Sequence, residues 1–180
     1  MNPFGIDIEW FWQQFVQCRS AGALFDHGQR GNGHSSRAAA RGELMDLTPY
    51  LNFNGTCAAA FNFYAEVLNG EVVFMQTHGE SPAKDYVGPD WQDKVMHACV
   101  KFGNMSLMGT DAPENHYRKP QGITVSVTVP SRNEANRIFQ ALAQDGRITM
   151  PFEKTFWSEG WGALIDRFGI PWMVNTAQAS

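Results

Sequence analysis

The chain has 180 residues, of which 43% are hydrophobic and 18% are charged. This composition is typical of one compact domain with a sizeable core, and it excludes collagen, coiled coil and wholesale disorder. The net charge of -4 and the pI near 5.7 argue against the clustered basic surface of nucleic-acid binders. No apolar run approaches the roughly 20 residues of a membrane span, and the three cysteines lack metal-ligand spacing. We expect a soluble cytoplasmic protein without nucleic-acid or membrane partners.

Residues 1–44 differ in character from the rest of the chain. Residues 9–16 have the composition of a short apolar helix, whereas residues 28–42 are rich in Gly, Ser, Ala and Arg without periodicity. We predict that this N-terminal extension is disordered or is a mis-annotated start, because Arg41-Gly-Glu43 can be encoded by a purine-rich ribosome-binding sequence just before Met45. A transit peptide or a docking segment is a further alternative. The folded domain is expected over residues 45–180.

The order strand, helix, run of strands occurs twice, over residues 47–111 and 122–176. In each copy apolar residues recur at helical spacing. The first helix is expected to end at Asn69-Gly70 and the second at Asp145-Gly146, where a left-handed residue can stop a helix. A duplicated unit of this size predicts two half-barrels that meet around a cavity.

Both helices carry signals at their N-termini. Ser131 can accept a hydrogen bond from a first-turn amide while Glu134 reaches back, which is the pattern of a capping box. Thr56 is the expected N-cap of the first helix, directly before Cys57. A helix dipole can lower a thiol pKa, but the small apolar neighbours of Cys57 favour a packed cysteine over a reactive one.

Strand alternation assigns faces to the strand that opens the second copy. Between Gly122 and Val129, apolar residues alternate with Thr and Ser. We expect the apolar side, which begins with Ile123, to carry the helix. The hydroxyl side, with Thr124 and Ser126, should face the interior of the half-barrel, because a polar ligand gives these groups the partners that a dry core does not.

The same alternation in residues 94–103 places His97 opposite an apolar face. A histidine with an ordinary pKa of about 6.5 is suited to proton transfer, so His97 is the candidate catalytic residue. A hydrogen-bonded structural histidine is the alternative. A site in which His97 combines with the loop residues His78 and His116 to bind a metal is also left open.

Five short motifs stand out together. They are Pro49-Tyr-Leu-Asn-Phe-Asn-Gly55, Phe63-Tyr-Ala-Glu-Val-Leu68, Val95-Met-His-Ala98, Ser106-Leu-Met-Gly-Thr-Asp111 and Asp166-Arg-Phe-Gly-Ile-Pro-Trp172. In this order they closely resemble the PhnB-like branch of the vicinal oxygen chelate superfamily, which also contains glyoxalase I, extradiol dioxygenases and bleomycin- and fosfomycin-resistance proteins. The resemblance covers residues 47–176. It implies an α+β fold of two βαβββ modules forming an open, mostly antiparallel barrel, a ligand cavity and a homodimer.

The enzymes of this superfamily commonly hold a divalent metal with His and Glu side chains on the first and fourth strands of each module. The resemblance places these positions at Pro49 or Tyr50, near Met108, at Thr124 and at Met173. None of them is a His or a carboxylate, and thioether sulfur with neutral hydroxyls is a poor donor set for zinc, nickel or magnesium. We therefore predict no glyoxalase-type metal and no cofactor.

The predicted ligand-binding residues share a place on the inner face or at the mouth of the barrel. They are Tyr50, Met108, Thr124, Ser126, Trp157 and Met173. The aromatic residues of the 153–161 stretch either close the core or line the mouth, where they would suit a flat ligand. Glu153 and Glu159 are interpreted as solvated surface.

These observations favour a metal-free protein that binds a small molecule in the barrel. The alternative is an enzyme of isomerase, lyase or dioxygenase type, with a relocated metal or with His97 as acid and base. Methyl transfer, an older label in this branch, is not favoured. The glycines Gly28, Gly31 and Gly33 precede no strand and helix pair that would hold an adenosyl cofactor.

Overall fold

The computed structural model describes residues 47–82 and 84–178, and within them the chain forms two βαβββ modules. The first contains β1 (Tyr50–Phe53), α1 (Cys57–Val67), β2 (Glu71–Thr77), β3 (Val95–Phe102) and β4 (Met105–Asp111). The second contains β5 (Val125–Val129), α2 (Arg132–Ala143), β6 (Arg147–Glu153), β7 (Trp161–Ile165) and β8 (Pro171–Thr176). Two short 3₁₀ helices, Lys84–Tyr86 and Pro89–Trp91, lie between β2 and β3. The predicted duplication is confirmed, whereas the predictions for residues 1–44 lie outside the described residues.

Each module forms one four-stranded mixed sheet. The strand orders are β1-β4-β3-β2 and β5-β8-β7-β6, so the two sheets have the same topology. The first strand of each module runs parallel to the fourth, and the other neighbours are antiparallel. The predicted α+β class with mostly antiparallel sheets is confirmed, and the described residues form no closed barrel.

The helices end where the sequence predicts. Asn69 and Asp145 have φ of 53° and 57°, in the left-handed region that stops a helix. Ser131 accepts a hydrogen bond of 3.4 Å from the backbone N–H of Glu134, as expected for a capping box. The prediction that the Glu134 side chain reaches back to the N-cap is wrong, because its carboxylate accepts a 2.7 Å hydrogen bond from the Arg137 guanidinium.

The N-terminus of α1 is capped from a distant strand. Thr56 stands at the N-cap position without a side-chain hydrogen bond to the helix. The buried carboxylate of Asp111, at the end of β4, accepts 2.9 Å hydrogen bonds from the backbone N–H groups of Cys57 and Val95. A negative charge at this position also compensates the helix dipole. Asp111 therefore joins α1 to β3 and β4.

One hydrophobic core spans both modules. It is built from the inner sides of α1 and α2 and from one face of each sheet, with Phe61, Phe139 and Trp172 among its largest members. The helices also meet directly, because the Arg137 guanidinium donates a 2.7 Å hydrogen bond to the Val67 carbonyl. The two modules thus form a single packed unit.

The predicted apolar side of β5 packs against this core through Val125, Val127 and Val129. Ile123 does not follow the pattern, and 74% of its surface is exposed. The reason is that β5 begins only at Val125, so Ile123 lies before the strand that would turn it inward. No helix within the described residues has the length and apolar character needed to cross a membrane.

Candidate ligand-binding site

Each sheet has one face that carries its helix and a second that does not, which we call the helix-free face. Residues directly opposite each other on paired strands share a face, so the register gives the composition of that surface. On the first sheet the central row of the helix-free face is Phe74, Cys99, Met108 and Tyr50. On the second sheet the equivalent row is Met150, Ala163, Met173 and Ser126.

The predicted site residues fall into two pairs in these rows. Tyr50 lies beside Met108 on β1 and β4, and Ser126 lies beside Met173 on β5 and β8. Thr124, which was predicted to be the first-strand position of the second module and a ligand-binding residue, is exposed and precedes β5. The prediction of Thr124 assumed that β5 begins earlier in the chain. In the structure the residue opposite Met173 is Ser126.

The residues at these four places do not fit a glyoxalase-type ion. A phenol, a hydroxyl and two thioethers supply neither imidazole nor carboxylate, which are the ligands that divalent catalytic ions need. Nor do the described residues contain any group of three or more His, Cys, Asp or Glu side chains placed to hold a metal. His78, His97 and His116 are thus not brought together as a metal triad.

His97 lies in the next row of the first helix-free face, and only 2% of its surface is exposed. Its Nδ1 is 3.1 Å from the hydroxyl oxygen of Tyr50, and the two rings stack with centroids 5.7 Å apart. Phe74 also contacts the imidazole, at a centroid distance of 5.8 Å. Burial lowers the pKa of His97 to about 4, so its imidazole is neutral at physiological pH. The role of His97 in catalysis stays a prediction.

Tyr50 and Cys57 keep their protons at physiological pH. Burial is the main cause that raises the pKa of the Tyr50 phenol. Burial, and then the charge of Asp111, raise the pKa of the Cys57 thiol as well. Cys57, the first residue of α1, is buried in the core, which agrees with the interpretation of a packed rather than a reactive cysteine.

The second helix-free face is more open than the first. Met150 and Trp157 expose 51% and 42% of their surfaces, and Trp157 contacts the ring of Trp161 on β7 at 5.9 Å. Phe156, which touches Trp157 edge to face, is 95% exposed. Phe156 and Trp157 therefore extend the exposed surface of the second sheet and do not close the core.

Sequence reasoning missed two residues of this surface, Phe74 and Met150, whereas Trp161 belongs to the predicted 153–161 stretch. Each is opposite a residue whose face is known, for example Met150 opposite Ala163. The alternation within β2 and β6 does not reveal them, because both strands have irregular register, and most of β6 is exposed. Pairing with the neighbouring strand was the signal that could have found them.

Residues 45–175 match the family described as 3-demethylubiquinone-9 3-methyltransferase. Protein YjdN of Escherichia coli K12 is 33% identical over 142 residues, which cover 74% of this chain and 97% of YjdN. The crystal structure of PA1353 from Pseudomonas aeruginosa is 40% identical, with a TM-score of 0.69 over 76% of this chain and all of PA1353.

Two further solved structures are similar to this fold. A PhnB protein from Bacillus cereus is 27% identical, with a TM-score of 0.64 over 74% of this chain and all of that protein. A glyoxalase/bleomycin resistance protein/dioxygenase family enzyme from Burkholderia phytofirmans has a TM-score of 0.51 over 73% of this chain and 97% of its own, at 9% identity, and shows the fold alone. The fold is that of the glyoxalase-like class. Within that class, the chain belongs to the PhnB-like family that its residues 45–175 match.

Proposed function

We propose that this protein binds a small molecule against the helix-free faces of its two sheets, without a glyoxalase-type metal. The observation that carries the proposal is the composition of the two central rows. Met108, which is 4% exposed, and Met173, which is partly exposed, both carry adaptable thioethers. Each has a hydroxyl group directly beside it, from Tyr50 or Ser126. Ligand sites are typically apolar with a few well-placed polar groups, which is the chemistry of these rows.

The aromatic surface beside the second row favours a flat ligand. Trp157 and Trp161 contact each other with ring centroids 5.9 Å apart, and 42% of the surface of Trp157 is exposed. Aromatic faces bind planar apolar groups well, at offset-stacked or edge-to-face distances of about 4.5–7 Å. The ligand class that fits best is therefore a planar molecule with a small number of polar groups.

A thermal-shift screen of metabolites and aromatic antibiotics tests this function, because a ligand that binds only the folded state raises the melting temperature. For a hit, calorimetric titration of Met173→Ala should show at least about 5-fold weaker binding, since a buried contact of this size contributes about 1 kcal/mol or more. Met105→Ala is the matched control, because Met105 is 71% exposed at the start of β4. Equal losses in the two variants would remove the second row from the site.

The dimer that the family resemblance implies is part of the same proposal. Two exposed apolar residues outside the central rows, Phe156 and Ile123, are of the kind that a second copy buries. Sedimentation equilibrium of the full chain at micromolar concentration is expected to give the mass of a dimer. A monomer at all concentrations would reject this part of the proposal and leave ligand binding to be judged by the titration.

An enzyme is the less favoured alternative. A general base works best with a pKa near the working pH, whereas burial lowers the pKa of His97 to about 4. A relocated metal would need ligands that the described residues do not bring together. Elemental analysis of protein prepared without a histidine tag discriminates the two functions, because a stoichiometric divalent ion would favour the enzyme.

The family description also names a methyltransferase. The strand-to-helix turns of the described chain, Asn54-Gly-Thr56 and Pro130-Ser131, lack the run of glycines that cradles a nucleotide-like cofactor. We therefore do not favour methyl transfer. Calorimetric titration with S-adenosylmethionine should give no saturable heat, and a saturable signal at one site per chain would reverse this preference.

A further inference from the structure

Tyr50 and His97 form a hydrogen-bonded pair in which only one member can meet a ligand. His97 is 2% exposed beneath the ring of Tyr50 and against Phe74, whereas Tyr50 lies at the edge strand β1 and is only partly buried. Tyr50 also stands beside Met108 in the central row, where the proposed ligand lies. A ligand on this row would therefore meet the Tyr50 phenol and not the buried imidazole.

The direction of the hydrogen bond follows from the chemistry of the two groups. A neutral imidazole has one N–H and one acceptor nitrogen, and a phenol has one O–H. The imidazole nitrogen is a much stronger base than a phenolic oxygen, so the bond O–H to N is stronger than the reverse bond N–H to O. Burial keeps both groups uncharged at physiological pH, since it lowers the pKa of His97 and raises that of Tyr50. We therefore assign Tyr50 as the donor to Nδ1, which places the proton of the neutral His97 imidazole on Nε2.

We propose that His97 is a positioning residue that engages the Tyr50 hydroxyl proton, so that Tyr50 presents its oxygen to the ligand as a hydrogen-bond acceptor. This inference rests on the proposed function. A phenol that has donated its proton still has acceptor capacity on its oxygen. The ligand at this place then carries an N–H or O–H donor on a flat apolar body. A carboxylate or phosphate at this place has no N–H or O–H group from which the Tyr50 oxygen could accept a hydrogen bond.

The first test examines the pair in the protein without any ligand. Heteronuclear NMR of isotope-labelled histidine distinguishes the two neutral tautomers. We expect the Nε2–H form for His97 at neutral pH, and a shift of its Nδ1 signal in Tyr50→Phe, which removes the donor. An Nδ1–H tautomer, or a doubly protonated ring, would overturn the proposal. This result does not depend on whether the protein binds small molecules.

The second test uses indole and N-methylindole, two flat probes that differ in one N–H donor. NMR titration of the full chain is expected to show indole binding about 3- to 10-fold more tightly, the ratio that one net hydrogen bond supplies. Tyr50→Phe should abolish the preference. His97→Leu should reduce it, while His97→Asn, which keeps an acceptor near the Nδ1 position, should restore most of it.

The outcomes separate this inference from the function on which it rests. Equal binding of the two indoles, or binding of neither, overturns the donor requirement. A preference for indole that survives unchanged in Tyr50→Phe places the acceptor elsewhere and also overturns it. If the tautomer is the expected one and the thermal-shift screen yields no ligand, the proposed function fails while the hydrogen-bond direction stands.

Discussion

The hydroxyl of Tyr64 in α1 donates a 2.6 Å hydrogen bond to the carboxylate of Asp166, which lies in the turn between β7 and β8 of the other module. The same carboxylate accepts from the indole N–H of Trp172 and from the backbone N–H groups of Phe168 and Ile170, all at 2.8–2.9 Å. Asp166 is buried, so four donors compensate the desolvation of its charge. The motif that begins at Asp166 therefore joins the two modules and lies outside the two central rows of the helix-free faces.

Asp166→Asn should lower the free energy of unfolding by about 3 kcal/mol, because an amide cannot accept from all four donors and leaves buried N–H or O–H groups unpaired. Urea unfolding followed by tryptophan fluorescence measures this loss. The control is Asp93→Asn, an exposed residue paired with Lys94, for which a change within about 0.5 kcal/mol is expected. Similar losses in both variants would contradict the role given to Asp166.

Asp111→Ala should destabilise the protein by about 2 kcal/mol or more, since it leaves the amides of Cys57 and Val95 without their carboxylate. Thr56→Ala should change stability by less than about 0.5 kcal/mol, because the Thr56 side chain makes no capping hydrogen bond. Denaturant unfolding of both variants measures whether Asp111→Ala loses more stability than Thr56→Ala. The reverse order would show that Thr56 caps α1 in solution, as the sequence alone suggests.

Gly109→Ala should cost about 1–3 kcal/mol through overpacking. A Cβ at this position would lie 2.8 Å from the Phe61 ring and 2.9 Å from the Leu51 carbonyl oxygen, so α1 must move away from the sheet. Gly88→Ala is the matched control, because Gly88 has an ordinary φ of -68° and no atom within 4 Å of its Cβ position. Thermal unfolding should separate the two, and a Gly109→Ala protein as stable as Gly88→Ala would disprove the close packing.

Acid should weaken the fold through His97. Its pKa in the folded protein is about 4, below the ordinary value of 6.5, so the unfolded chain takes up the proton first as the pH falls. Stability is highest above about pH 6.5 and decreases toward pH 4, by about 3 kcal/mol from this residue. The loss is measured by urea unfolding across this pH range.

His97→Asn does not titrate there and serves as the reference for that experiment. Other groups, such as His78, whose pKa is also lowered by burial, contribute equally to both proteins and cancel in the difference. The wild-type protein should therefore lose stability more steeply than the variant. Parallel pH profiles would mean that His97 is not desolvated in the folded state.

The sequence by itself determined the duplicated βαβββ order, both helix ends and the apolar side of β5, because these depend on local patterns of period 3.6 or 2 and on left-handed stop residues. It also supplied most of the candidate site, through Tyr50, Met108, Ser126 and Met173, but it assigned Thr124 a place that the strand register gives to Ser126.

Only the tertiary structure decided which residues meet across strands and modules. The carboxylate that caps α1 comes from β4, 54 residues along the chain, and the carboxylate that ties Tyr64 to Trp172 lies in the other module. Burial of His97 and its hydrogen bond to Tyr50, 47 residues away, likewise depend on the folded sheet. Hydrogen bonds, desolvation and pKa values are set by distances in space, and a linear pattern specifies such distances only within one helix or strand.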